Sequence, residues 1–373
     1  MGPLAGIRIV ELPAIGPVPF CAMLLAQLGA EVLRLTRPGA SDVGLAIDPR
    51  FDLMSQGRPS IAVDLKHPDG VAFVREAAAH ADALIEGFRP GVMERLGLGP
   101  DVVQAGNPAL VYGRMTGWGQ EGPLSRTAGH DINYLALSGV LHAIGHAGER
   151  PAPPLNLVGD FGGGAMMLAL GVVAGVLEAR RTGTGRLVDA AIVDGASYLA
   201  TVVHGLIAAG LWRDERGANI LDSGAPYYDT YETRDGRHIA VGAIEPKFYR
   251  LLLDGLELDP AELPDQDDRS AWPQLRHRLA SVFRTRTRDE WAAQFAQTDA
   301  CVTPVLSMTE AAHHPHARAR RAFVVEDGVT RPQVAPRLGS TSPSSETARR
   351  TLVRWGVAAE AIDRYVSSGA LRE

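Results

Sequence analysis

The chain has 373 residues, of which 46% are hydrophobic and 21% are charged, and its formal net charge is −6. This length predicts about two domains, and the composition is typical of a globular protein with a large core. The negative net charge argues against a general nucleic-acid-binding protein. Only Cys21 and Cys301 are present, which excludes a disulfide framework and favours a reducing, cytoplasmic location.

The first two hundred residues alternate strand and helix patterns. The predicted strands are residues 7–12, 31–35, 61–65, 83–86, 109–115 and 187–192, and the clearest helices between them are residues 17–28 and 70–79. Alternation of this kind predicts a parallel sheet covered by helices. We therefore assign residues 1–200 to a large, Rossmann-like α/β domain.

Neither a secretory signal nor a membrane span is expected. The N-terminus has no basic region followed by a cleavage site, as a signal peptide would. The longest apolar run, residues 162–177, is shorter than the roughly 20 residues that cross a bilayer. We expect this run to form a buried helix.

The pattern changes near residue 225. Two strand patterns, residues 228–233 and 238–242, flank a turn signal that ends at Gly236, and this predicts a hairpin. Pro246 would open a helix with Glu245 as its N-cap. Further helical patterns cover residues 249–256, 272–283 and 289–296.

These elements predict a smaller α+β domain over residues 225–325. Residues 201–224 and 326–346 are interpreted as linkers. The last segment, residues 330–373, contains a helical pattern over residues 347–365 and is expected to complete the large domain.

Several short motifs match known functional patterns, but the residues around them argue against those functions. Residues 117–122 match a dinucleotide fingerprint but are followed by a proline rather than by a helix, so nucleotide binding is not favoured. Residues 160–162 spell the kinase magnesium motif without the other kinase motifs. His142, His146 and the histidines of residues 313–316 lack the convergent ligands that zinc needs, so no metal site is predicted.

Three segments carry residues suited to chemistry. Residues 129–134 contain His130, the residue type whose pKa suits proton transfer near neutrality, although a lone histidine is more often structural. In residues 156–164, Asp160 precedes three glycines, and a helix cap is the plainer interpretation. Residues 224–231 lead to Glu245, which could also be only a cap.

These three segments and residues 114–120 resemble the α-methylacyl-CoA racemases, which belong to the class III CoA-transferase family. The resemblance extends from residue 3 to about residue 305. It implies the class III CoA-transferase fold and an interlocked homodimer, in which each active site lies between the large domain of one chain and the small domain of the other. It also implies cofactor-free interconversion of (R)- and (S)-2-methylacyl-CoA by 1,1-proton transfer through an enolate.

Site residues follow from the same resemblance. His130 and Asp160 match the acid–base pair, and Glu245 matches a carboxylate that supports the histidine. We expect backbone N–H groups in the glycine-rich turn after Asp160 to stabilise the enolate oxygen. The positions expected to contact CoA or the acyl group are Arg37, Val63, Asp64, Leu65, Lys66, Gly87, Phe88, Arg89, Arg95, Gly129, Asp131, Ile132, Asn133 and Tyr134.

Two alternatives remain open. A class III CoA-transferase would use Asp160 as a nucleophile, but it has no evident need for His130. A non-catalytic acyl-CoA-binding protein would have no reason to keep His130, Asp160 and Glu245 together. The sequence does not distinguish a fatty acyl chain, a sterol side chain or an arylpropionyl group, nor does it assign His130 and Asp160 to the two faces of the α-carbon.

Overall fold

The computed structural model describes residues 2–39, 47–338 and 346–373. The strands are β1 (Arg8–Glu11), β2 (Glu31–Thr36), β3 (Ser60–Val63), β4 (Ala83–Glu86), β5 (Val111–Thr116), β6 (Leu187–Ala191), β7 (Tyr228–Glu232), β8 (His238–Gly242), β9 (Val302–Pro304), β10 (Phe323–Glu326), β11 (Val329–Pro332) and β12 (Leu371–Arg372). All eight predicted strands are present, and no end differs from its predicted position by more than two residues.

Sixteen α-helices and one π-helix are described. They are α1 (Pro17–Gln27), α2 (Pro68–Ala79), α3 (Val92–Arg95), α4 (Pro100–Gly106), α5 (Asp131–Leu137), α6 (Val140–Ala143), the π-helix (Leu157–Ala165), α7 (Met166–Thr182), α8 (Ile192–Leu199), α9 (Thr201–Ala208), α10 (Pro246–Gly255), α11 (Trp272–Phe283), α12 (Arg288–Phe295), α13 (Met308–Ala311), α14 (Pro315–Ala319), α15 (Ala348–Trp355) and α16 (Ala359–Ser367). Short 3₁₀ turns cover Pro49–Phe51 and Pro260–Glu262.

The chain divides into two units. The first comprises Met1–Ser138, Leu155–Ala200 and Val324–Glu373, and the second comprises Gly139–Pro154 and Thr201–Phe323. The sequence placed residues 139–154 in the large domain, but they join the second unit because Arg216 donates hydrogen bonds to the carbonyls of His142 and Glu149.

The first unit is built on a seven-stranded sheet in the order β12-β3-β2-β1-β4-β5-β6. The pairs among β1 to β6 are parallel, and β12 pairs antiparallel with β3. Ile9, Val10, Leu84 and Ile85 are fully buried, because helices cover both faces of a parallel sheet. The predicted fold class is confirmed.

The second unit contains the antiparallel sheet β7-β8-β9. Its hairpin turns where the sequence predicted, at Gly236, whose φ of 71° lies in the left-handed region that glycine favours. Glu245 is the N-cap of α10, again as predicted. Buried aromatic side chains, among them Tyr227, Phe283 and Trp291, form its core.

Three predicted segments differ in the structure. Residues 201–224 are not a plain linker, since they contain α9. The predicted helix over 347–365 is two helices, because Gly356 (φ 110°) ends α15. The predicted linker 326–346 begins within the β10–β11 hairpin, and its residues 339–345 lie outside the described residues.

The π-helix and α7 form one continuous helix, Leu157–Thr182, of 26 residues. By length and composition it could cross a membrane, so the expectation of a run too short to span was wrong, although 39% of its apolar stretch is buried. Leu168, Val172 and Val176 lie in the core beside the sheet.

Candidate active site

The strand order creates a crevice at the carboxyl edge of the large sheet. The chain proceeds from β1 to β2 and β3 on one side, and β4 then pairs with β1 on the other side. The loops that follow β1 and β4 therefore diverge, and such switch points are where open α/β sheets bind ligands. A Cβ on Gly87 would lie 3.1 Å from Ala14 and Val18, so the two loops approach closely at its base.

The carboxyl group of Asp160 faces this crevice. A Cβ added to Gly16, in the loop after β1, would lie 3.4 Å from Oδ2 of Asp160. Asn156 Nδ2 donates to the same oxygen at 3.4 Å. Burial raises the pKa of Asp160, and the nearby Asp131 carboxyl raises it further, whereas Asn156 and His130 act in the opposite direction. The environment therefore makes this carboxyl easier to protonate than one in water.

Asp160 is held by the π-helix, which is a rare conformation that often marks functional sites. Phe161 N–H donates to the carbonyl of Asn156, five residues back, at 3.3 Å. Gly195 of α8 packs on this helix so closely that a Cβ there would lie 1.8 Å from the carbonyl oxygen of Gly163. Glycine is thus required at this contact between two backbones.

The predicted glycine-rich turn after Asp160 is wrong. Gly162, Gly163 and Gly164 lie within the π-helix, where N–H groups are directed to carbonyls of the same helix. They are therefore not the donors that the sequence suggested for an enolate oxygen.

His130 is the N-cap of α5, and its side chain is exposed. Its backbone N–H donates to Oδ1 of Asn133 at 3.1 Å. His130 is near enough to Asp160 to lower the pKa of that carboxyl. The fold therefore brings together two residues that are thirty positions apart in the sequence.

Asp131 joins the two segments that carry these side chains. Its Oδ1 accepts a hydrogen bond from the N–H of Asp160 at 2.7 Å, and the N–H of Gly159 also donates to it. A Cβ on Gly159 would lie 2.2 Å from this oxygen. Asp131 is buried, so it holds backbone rather than presenting a free carboxylate to a ligand.

The remaining residues of the 129–134 segment support the backbone around His130. Tyr134 donates its hydroxyl hydrogen bond to the carbonyl of Gly129 at 2.5 Å, and its ring meets Trp118 edge-on at 4.7 Å. Ile132 is different, since 44% of it is exposed. Its exposed apolar side chain is available for contact with an acyl group.

The residues expected to contact CoA lie where neighbouring parallel strands end. Four of them are exposed cations that follow β2, β3 and β4 or end α3, namely Arg37, Lys66, Arg89 and Arg95. Arginine suits phosphate groups because its guanidinium forms bidentate, charge-assisted hydrogen bonds. This edge of the sheet thus combines positive charge with the Asp160 crevice.

The other predicted contacts serve the fold in part. Val63 is 1% exposed and Leu65 packs against the same core, so neither side chain is free for a ligand. Asp64 Oδ1 accepts the N–H of Lys66 at 2.9 Å. Phe88 packs on the core, and the Arg37 guanidinium lies 5.9 Å from its ring centroid. Gly87 is exposed.

Sequence reasoning missed a buried ionic network beside these contacts. Glu86, the last residue of β4, is fully buried and accepts the Nε–H of Arg114 at 3.1 Å. Burial raises the pKa of Glu86 to about 7, against opposing contributions from Phe88 N–H and Arg114. The available signal was one charged residue in each of two buried strands. Asn156 was also missed, although it stands one helical turn before Asp160.

Glu245 belongs to the second unit. Its carboxylate is exposed at the start of α10. Burial of the Cys301 thiol raises the pKa of that thiol, and the Glu245 carboxylate raises it further. Cys301 lines a cavity of about 340 Å³ together with Tyr228, Asp229 and Gly242. This cavity lies on one face of the β7-β8-β9 sheet.

Comparison with known proteins identifies close relatives. The profile of CoA-transferase family III matches residues 4–351. The α-methylacyl-CoA racemase of Mus musculus is 48% identical over 348 residues, which cover 93% of this chain and 89% of the mouse protein. The Homo sapiens α-methylacyl-CoA racemase is 47% identical over 341 residues, covering 91% of this chain and 87% of the human protein.

A solved structure shows the same fold at lower identity. The CAIB/BAIF family protein from Brucella suis superposes with a TM-score of 0.79 at 22% identity, and the match covers 98% of this chain and 99% of that chain. The identity to the two racemases and the family match confirm the resemblance inferred from the sequence segments.

Proposed function

Because this chain belongs to CoA-transferase family III, we propose that it is an isomerase that interconverts (R)- and (S)-2-methylacyl-CoA thioesters. The observation that carries this proposal is the pairing of His130 with a carboxyl group whose pKa is raised, in a crevice flanked by exposed cations. Inversion of a carbon centre by proton transfer requires a base on one face and an acid on the other. Sequence identities of 48% and 47% to the two α-methylacyl-CoA racemases support 2-methylacyl-CoA thioesters as the substrates.

The reaction is a balanced exchange of protons. Neutral His130 removes the α-proton of one epimer, and the electron pair of the broken C–H bond moves into the thioester carbonyl to give an enolate. Protonated Asp160 then donates its proton to the opposite face of the same carbon. The other epimer reacts with the two roles exchanged, and each proton lost by the substrate is matched by one gained.

This scheme requires no cofactor, because no electrons are transferred and CoA is part of the substrate. The raised pKa of Asp160 favours the protonated form that must act as the acid. Arg37, Lys66, Arg89 and Arg95 would bind the phosphates of CoA at the strand ends. Each acid–base group is expected to contribute about 10²–10⁴-fold to the rate.

The test is α-proton exchange in D₂O with each pure epimer of a 2-methylacyl-CoA, followed by NMR and chiral analysis. The wild-type protein should exchange and epimerise both. Asp160→Asn and His130→Ala should each lose epimerisation while retaining exchange with one epimer only, and the retained epimers should be opposite. His142→Ala, which removes an exposed histidine of α6, is the matched control with unchanged rates.

Two other outcomes would sink the proposal. Transfer of CoA to an added carboxylate, with no α-proton exchange, would mean that Asp160 acts as a transferase nucleophile. Tight acyl-CoA binding with neither reaction would mean a non-catalytic protein. Use of fatty, sterol-type and arylpropionyl thioesters in the same assay would define the acyl group.

A homodimer is part of the proposal, supported by an apolar stripe on α7. Met166, Leu170, Val173 and Leu177 recur at helical spacing and are 43%, 66%, 37% and 64% exposed. A contiguous apolar stripe of this kind is typical of a surface that another protein covers. We propose that a second copy of the chain covers it, rather than a membrane, and that the copies exchange units so that Glu245 supports His130 of the partner.

Mixing two inactive variants tests this arrangement. In a heterodimer of His130→Ala with Glu245→Gln, one site would carry both lesions and the other would carry none. Unfolding and refolding an equimolar mixture should therefore restore about a quarter of the wild-type activity. If both residues of a site came from one chain, every site would carry a lesion and no activity would return.

A further inference from the structure

We propose that Glu86 and Arg114 are positioning residues that set the affinity for CoA by fixing the segment between β4 and α3. This inference rests on the proposed function, since that segment carries Phe88 and Arg89 and leads into α3, which ends at Arg95. Neither Glu86 nor Arg114 can touch the ligand through an exposed side chain, because their residues are 0% and 6% exposed.

Glu86 uses its two carboxylate oxygens for two different partners. Oε2 accepts the backbone N–H of Phe88 at 2.6 Å, and Oε1 accepts the Nε–H of Arg114 at 3.1 Å. Glu86 and Arg114 are direct partners in the register of β4 and β5. The carboxylate therefore anchors the first turn after β4 to the rigid centre of the sheet.

Arg114 extends the same network to α3. Its Nη2 lies 2.8 Å from Oε1 of Glu94, and Glu94 is followed directly by Arg95. The buried guanidinium thus holds α3 directly, through Glu94, and it holds the turn that carries Arg89 indirectly, through the Glu86 carboxylate that accepts the Phe88 N–H. Orientation of two cationic side chains at this edge depends on hydrogen bonds that neither side chain makes itself.

A role in stability alone would be served better by apolar side chains. Burying a carboxylate and a guanidinium costs free energy that well-packed hydrophobic residues of similar volume do not incur. What an apolar pair cannot supply is an acceptor for the Phe88 N–H and a cation for Glu94. The network therefore has a directional function, which is to hold the segment in one conformation.

Glu86→Gln is the decisive substitution because it keeps the volume but changes the donors and acceptors. The amide offers one acceptor oxygen, while Phe88 N–H and Arg114 Nε–H each need one. We expect the Kd for free CoA, measured by calorimetry, to rise about tenfold, as for the loss of one charge-assisted hydrogen bond. KM should rise by a similar factor while kcat at saturating substrate stays within about twofold.

Asp82→Asn provides a matched control at the other end of β4. Asp82 precedes β4 at the opposite, amino edge, accepts the backbone N–H of Arg8 at 2.8 Å and lies 3.6 Å from an Arg180 nitrogen. Like Glu86, Asp82 is a carboxylate that accepts a backbone N–H and lies near an arginine, but it holds no segment that is expected to bind CoA. The affinity for CoA and the KM of Asp82→Asn should therefore not change. A purely structural network would affect both variants alike.

Three results would overturn the proposal. An unchanged Kd for CoA in folded Glu86→Gln would show that the segment does not depend on the network. A fall in kcat with KM unchanged would place the effect elsewhere. If Glu86→Gln does not fold, Glu94→Gln can be used instead, because it removes the charge of the half-exposed partner of Arg114. This variant should raise the Kd for CoA about threefold, and an unchanged Kd would also contradict the proposal. Because the Kd is measured with CoA alone, a wild-type protein that binds CoA but does not racemise would refute only the proposed function.

Discussion

Replacement of Gly159 by alanine should separate positioning of the acid–base pair from protein stability. The added Cβ would lie 2.2 Å from Oδ1 of Asp131, whereas a carbon and an oxygen in contact are about 3.3 Å apart. The π-helix and α5 must therefore separate by about 1 Å, and the 2.7 Å bond to the Asp160 N–H is lost. A displacement of about 1 Å at reacting groups typically costs about 10² in rate.

We expect kcat for epimerisation to fall about 100-fold in Gly159→Ala, with the Kd for CoA unchanged, because the cations lie on other elements. Thermal unfolding should show that the variant is folded. Gly106→Ala is the control, since a Cβ there meets nothing within 4 Å. A folded Gly159→Ala protein with kcat within threefold of wild type would refute the argument that Asp131 sets the geometry of the pair.

Three further substitutions test how individual residues contribute to the free energy of unfolding. The pKa of Glu86 is raised from 4.5 to about 7 in the folded protein, so its stabilising contribution is complete below 4.5 and is lost as the pH rises through 7. Between pH 5 and 8 the wild type should therefore lose about 2.5 kcal/mol of unfolding free energy relative to Glu86→Gln. Unfolding free energies in urea that change equally with pH in the two proteins would contradict this. Gly195→Ala forces a Cβ to within 1.8 Å of the Gly163 carbonyl oxygen and should cost about 1–3 kcal/mol, read from a lowered Tm that Gly106→Ala does not share. Tyr231→Phe leaves the buried carbonyl of Pro226 without its hydroxyl donor and should cost about 1–3 kcal/mol in urea unfolding; an unchanged midpoint would mean that this carbonyl is not desolvated.

The sequence by itself determined the elements and the family. Alternating strand and helix patterns predicted the parallel sheet, and the turn at Gly236 and the cap at Glu245 were correct. These features are local: a few neighbouring residues decide backbone geometry through glycine at positive φ, proline at a first helical turn and apolar periodicity. The chemical identity of His130 and Asp160 was also recoverable, because long segments around them resemble those of a known family.

Only the tertiary structure decided how the site is held. The π-helix around Asp160 replaces the predicted turn, and Gly163 in it packs against the backbone of α8 rather than a ligand. Asp131, predicted to contact substrate, instead holds the N–H of Asp160. Charged residues in two buried strands were visible in the sequence, but their pairing as the Glu86–Arg114 network was not, since the register of β4 with β5 brings together side chains that are far apart in the chain. Contacts of this kind arise from packing between elements, and no local pattern encodes which backbone a side chain will meet.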